Sequence, residues 1–151
     1  MNEDKYIQIE NTSDYKIFTF ISQGRHGELL KIVRFDELIT RESTYNLALG
    51  TMLPNGKVDF TSTTNNGDRN KILATVAAIV SIFIENHPSK TVYLTGSDER
   101  RTLLYQRAMA YGYPELIQTF RIYGETLIDE VSEFEHFDQA KKYSGFLIEK
   151  K

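Results

Sequence analysis

The sequence predicts an α+β protein: a mixed, largely antiparallel twisted sheet with two main helices packed on it. Three observations carry that expectation. Four segments rich in alternating, β-branched and aromatic residues occupy the chain up to Thr63. The hydrophobic pattern then changes from strand-like to helical over Ile72–Ile84. A short strand, a second helical segment and one or two strands complete the order, and strands followed by helix, strand and helix point to α+β.

In chain order, Tyr15–Ser22 reads as a strand, Gln23-Gly24-Arg25-His26-Gly27 as its turn, and Leu29–Phe35 as the returning strand. Thr44–Met52 is a third strand. Pro54-Asn55-Gly56 turns the chain into a fourth at Lys57–Thr63. Asp68 or Asn66 can cap the first helix, and Pro88 ends it after His87. Being apolar nearly all round, that helix is expected to be buried on more than one side. Thr91–Leu94 is the next strand. Ser97 caps the second helix, with Asp98 and Glu99 complementing its dipole, and Gly112 and Pro114 stop it. Thr119–Tyr123 and Tyr143–Ile148 read as closing strands. The stretch Glu125–Ala140 holds six acidic residues and no Lys or Arg, and its pattern assigns it no element.

Bulk properties narrow the class of function. The 151 residues suffice for one domain, 1–151, with its own core. Composition is that of a soluble globular chain, and a net charge of -3 argues against duplex nucleic acid as partner. With no Cys there is no thiolate chemistry and no disulfide. The N-terminus lacks the apolar region of a secretory signal, and Ile72–Ile84 is too short to span a bilayer. A cytoplasmic protein without a membrane partner is expected.

The most informative chemistry lies in a strand-loop-helix pattern that occurs twice. If the strands at Val58–Thr63 and Thr91–Leu94 are parallel neighbours, both loops and both helix N-termini meet at one end of the sheet, where anions are favoured. The candidate ligand-binding residues are then Asn65, Asn66, Gly67 and Arg69 from the first unit, and Gly96, Ser97, Arg100 and Arg101 from the second. Arg107 joins them. On a helical wheel Leu103, Leu104, Ala108, Ala110 and Tyr111 share one face, with Arg100 and Arg107 near its middle. The bland alternative makes the loops ordinary turns and lays the Arg stems along apolar surface toward water.

His26, His87 and His136 are scattered and match no metal-ligand spacing, so no metal is predicted. No nucleophile elbow or phosphate-binding glycine motif is present. The leading expectation is a small binding protein whose partner is an anionic small molecule or an acidic protein, with no cofactor. Another possibility is a regulatory module of toxin–antitoxin kind, in which the acidic stretch meets an unidentified basic protein.

Tyr45-x-Leu47-Ala48-x-Gly50, Asn65-Asn66-Gly67-Asp68, Ala74-Thr75-Val76-Ala77 and the Gly96-Ser97 and Leu104-Tyr105 pairs resemble, in that order, a family of small bacterial proteins of unknown function about as long as this chain. More distantly, Lys57–Gly124 is similar in element order to the acyl-CoA half of GCN5-related N-acetyltransferases. That likeness implies acyl-CoA as cosubstrate, backbone donors near Gly67 for its pyrophosphate, and Tyr105 as general acid to the thiolate. The family's glycine-rich loop is replaced here by Asp68-Arg69-Asn70 after Gly67, and the gap from Tyr105 to Gly112 is wider than that family has.

Overall fold

The computed structural model describes residues 4–61 and 65–151. The chain begins with β1 (Glu10–Asn11), β2 (Ile17–Gly24) and β3 (Gly27–Glu37). β2 and β3 pair antiparallel from Ile17↔Arg34 to Gly24↔Gly27, so the predicted hairpin closes over Arg25-His26. Gly27 supplies the positive φ (82°) that this tight return needs. Strand alternation puts Phe18, Phe20, Val33 and Phe35 on one face, each no more than 2% exposed. Lys31 falls in the same inward phase.

β4 (Thr44–Met52) lies antiparallel to β3, and β5 (Val58–Asp59) folds back on its far end, Met52↔Val58. β5 is shorter than the predicted strand, of which Ser62 and Thr63 lie outside the described residues. α1 (Arg69–Asn86) then crosses over to β6 (Thr91–Leu94). β6 runs parallel not to β5 but to β4, from Thr44↔Thr91 to Leu47↔Leu94. The two strands expected to be parallel neighbours therefore share one edge of β4 in tandem. Nine residues of β4 leave room for both, because β5 takes only Thr51 and Met52. Neither strand pairs with Ala48–Gly50 on that edge, and the sheet parts there.

α1 packs its Phe83 on Phe35 (ring centroids 4.1 Å apart), with Tyr45 edge-on. Eight of its residues are buried, facing the sheet and the next helix. That helix, α2 (Glu99–Thr119), is longer than predicted: it passes Gly112 and Pro114 and ends at Phe120. Gly112 is buried, and Tyr113 and Leu116 pack on the core. This packing outweighs the ~3 kcal/mol preference against Pro in a helix interior. Its cap is Asp98, whose Oδ1 accepts from the Arg101 N–H (2.8 Å), rather than Ser97.

The acidic stretch is half of a hairpin. β7 (Phe120–Ile128) extends well past Tyr123, turns at Asp129-Glu130, and returns as β8 (Val131–His136). β9 (Gly145–Lys150) then inserts antiparallel between β6 and β7. The sheet order is β1-β2-β3-β4-β6-β9-β7-β8, with β5 beside β4. Among the described residues only the β4–β6 pair is parallel, so the fold is α+β with a mixed, mostly antiparallel sheet. Both helices pack on the face that carries Phe18, Val33, Leu47, Val92 and Phe146.

Candidate cationic cleft at the start of α1

The cleft forms where β4 loses its edge partner, α1 begins and α2 passes overhead. Its volume is about 820 Å³, and five cationic side chains line it: Arg25, Lys31, Arg69, Lys71 and Arg101. Two carboxylates, Asp4 and Asp68, oppose them.

Asp68 occupies the cap position of α1, yet its side chain makes no capping bond. Its Oδ2 instead accepts from the hydroxyls of Tyr6 (2.5 Å) and Ser22 (2.6 Å). Oδ1 is buried without a hydrogen-bond partner among the described residues. The first turn, Arg69-Asn70-Lys71, contains no acidic residue. This inverts the usual preference, since the positive end of a helix dipole favours carboxylates and disfavours cations.

The loop before the helix is fixed by Asn66, which is 3% exposed. Its amide donates to Ser22 Oγ (3.0 Å) and to the Gly27 carbonyl (3.1 Å), and its Oδ1 accepts from the His26 N–H. Asn66 thus ties the α1 entry to the β2–β3 turn and carries Arg25 over Gly67, which has φ 83°. Lys71 pairs with Asp4 at 3.7 Å and lies over the Tyr6 ring. Among the described residues Arg25 and Arg69 have no ion-pair partner.

The floor is Lys31, 5% exposed, whose Nζ donates to Thr51 Oγ1 at 2.7 Å. Burial pushes its ammonium below the ordinary lysine range; Asp68 pulls it back up and Arg101 pushes it further down. Arg101 reaches in from α2 and donates to the Phe60 carbonyl (3.3 Å). One turn later comes Tyr105, 9% exposed. Burial raises its phenol above the usual value, and Arg101 works against that rise. Its hydroxyl has no hydrogen-bond partner among the described residues.

Of the residues expected to form a site, Asn65, Asn66, Gly67, Arg69 and Arg101 come together here. Asn66 acts as a structural tie. Gly96 lines a second cleft of about 480 Å³ with Glu125 and Lys142, and its N–H is taken by Thr102 Oγ1. Ser97 reaches back to the Thr61 carbonyl (3.4 Å). Arg100 and Arg107 are exposed on the outer side of α2, whose inward face is Thr102, Tyr105, Gln106, Met109 and Gly112. Tyr111 is 65% exposed. Sequence reasoning missed Arg25, Lys31 and Lys71. Lys31 left a signal, a lone Lys in the inward phase Leu29, Lys31, Val33, Phe35.

Among the described residues no group of three or more His, Asp or Glu side chains is placed to hold a metal ion; His136 lies against the Tyr123 ring. No helix among them is long and apolar enough to cross a membrane. Fold and site together define an α+β protein with a cationic cleft at a helix N-terminus. The chain matches the model of a family of unknown function, DUF6934, over residues 2–151, and belongs to that family. No curated protein and no solved structure matches it.

Proposed function

We propose that the protein binds an anionic small molecule in the cleft at the start of α1. The observation that carries this reading is the inverted first turn. α1 begins with Arg69 and Lys71, without an acid and without a side-chain cap, and Arg25, Lys31 and Arg101 gather around it. Cations assembled at the positive end of a helix repel one another and the dipole. A phosphate or carboxylate offsets that repulsion and takes up the first-turn N–H groups. Asp68 does not compete for those groups, because its Oδ2 is held by Tyr6 and Ser22.

The test is thermal unfolding against phosphate, pyrophosphate, sugar phosphates and dicarboxylates. A ligand at a hundredfold its Kd stabilises by about 2.7 kcal/mol. Arg25→Gln and Arg69→Gln are expected to lose most of that shift, while Arg100→Gln and Arg107→Gln keep it. An unmoved Tm across every anion overturns the reading.

Two observations favour a second reading, acyl-CoA-dependent N-acyl transfer. β4 and β6 run parallel but pair only over Thr44–Leu47 and Thr91–Leu94, and beyond them Leu49 faces the cleft. Tyr105 lines that cleft, and among the described residues its hydroxyl has no hydrogen-bond partner, so its O–H is available to a leaving thiolate. Under this reading CoA displaces simple anions and Tyr105→Phe slows transfer; failure of CoA to compete removes it.

A further inference from the structure

α1 and α2 leave a gap between them. Leu73 and Ala77 of α1 face Ala108 and Met109 of α2 across a slot of about 50 Å³, floored by Leu94 of β6. The lining is apolar apart from Tyr105. Leu73 and Tyr105 belong to both this slot and the cationic cleft, so the two spaces adjoin: a charged vestibule and an apolar recess. At the junction stands the Tyr105 side chain, nine-tenths buried and with its hydroxyl unpartnered among the described residues.

We propose that the anion held in the cleft carries a short unbranched apolar chain, that the chain lies in the slot, and that an oxygen where head meets chain accepts the Tyr105 O–H. This rests on the anion-binding reading and narrows its ligand to an anionic amphiphile with a small tail. The cations fix the head. The apolar walls exclude a charged or hydrated tail, since a polar group buried there would lose its hydrogen bonds. Slot volume sets the length: at roughly 30 Å³ for a water-sized group, about 50 Å³ holds one or two heavy atoms. Leu73 and Tyr105 on either side of the entrance favour a linear chain over a branched one.

Isothermal titration with inorganic phosphate and with methyl, ethyl, propyl and hexyl phosphate tests this. Affinity is expected to rise through ethyl by about fourfold per carbon, the value for burying one CH₂ (about 0.8 kcal/mol), and to level off from propyl to hexyl. Ala108→Leu fills the slot and is expected to abolish the chain-length gain while leaving inorganic phosphate affinity unchanged. Ala77→Leu does the same from α1 and substitutes if the first variant fails to fold. Tyr105→Phe lowers alkyl phosphate affinity more than phosphate affinity. Phosphate binding with no chain-length dependence, or a gain that survives both leucine variants, overturns the slot proposal and leaves the cleft reading standing. If neither phosphate nor any alkyl phosphate binds, the cleft reading falls and the slot proposal falls with it.

Discussion

The Tyr6 hydroxyl donates a 2.5 Å hydrogen bond to Asp68 Oδ2, joining the N-terminal segment to the cap position of α1. Tyr6 is itself fixed by its N–H on Thr75 Oγ1 (2.9 Å) and by stacking on Phe20. The bond orients a carboxylate that would otherwise cap the helix and fill the anion site with the protein's own charge. Tyr6→Phe keeps the stacking and removes only the O–H. It is expected to cost about 1.5 kcal/mol in urea unfolding, the low end for a bond to a charged group because the pair is partly exposed. Freed from Tyr6, Asp68 turns toward the first-turn N–H groups, and phosphate binding weakens several-fold. Unchanged phosphate affinity in the variant would separate the two effects.

Lys31 gives the cleft a pH dependence. Burial lowers its pKa below the ordinary 10.5, so between the folded and unfolded values the unfolded chain binds more protons. Stability contributed by this residue therefore rises with pH through that window, and its full penalty is present below it. Anion affinity runs the other way, because the cleft loses a cation as Lys31 deprotonates. Sulfate keeps its own charge over this range, so its Kd isolates the protein's titration. The expected result is a weakening as pH rises, beginning below the ordinary lysine value of 10.5, that Lys31→Met flattens. An identical alkaline limb in the variant assigns the titration to another group.

Much of the fold was legible because its signals are local. The Phe18-x-Phe20 and Val33-x-Phe35 alternation, the turn glycines and the change of period at Ile72 each depend on neighbours in sequence. The site was legible only where a helix entry marks it, at Asn65–Arg69. On α2 the wheel failed because it ranked residues by apolarity. Thr102 and Gln106 take the inward face with their polar atoms satisfied, Thr102 Oγ1 on the Asp98 carbonyl and Gln106 Oε1 accepting from the Tyr143 N–H. That rotation turns Arg101 inward and Arg100 and Arg107 outward. Arg25 joins the cleft through the pairing of Asn66 with the β2–β3 turn, forty positions away, which no local pattern contains.

Pro114 misled the sequence reading for a reason that can be measured. It lies within α2, where a proline removes one backbone hydrogen bond and crowds the preceding turn. Packing of Tyr113 and Leu116 holds the helix regardless. Pro114→Ala is then expected to stabilise the protein by about 1–3 kcal/mol, read as a higher urea midpoint with an unchanged slope. A destabilised variant would mean that the proline ring itself helps seat Leu116 beside the slot.

The turn at the end of β7 is strained in a correctable way. Asp129 and Glu130 both have positive φ, 50° and 65°, in a two-residue loop closed by Ile128↔Val131. That is type I′ geometry, which favours Asn-Gly. Asp tolerates the left-handed region, whereas Glu bears a steric penalty of roughly 1–2 kcal/mol there. The double substitution Asp129→Asn with Glu130→Gly is expected to raise stability by about 1 kcal/mol, the steric relief reduced by the chain entropy that glycine adds. It also removes two charges from an acidic hairpin, so charge relief must be told apart from backbone relief. Glu130→Gln neutralises one charge and keeps the side chain in the strained conformation. If backbone strain is the cause, that control leaves the urea midpoint where it was while the double variant moves it upward. An equal gain in the control would instead trace the strain to repulsion among Glu125, Asp129, Glu130 and Glu133.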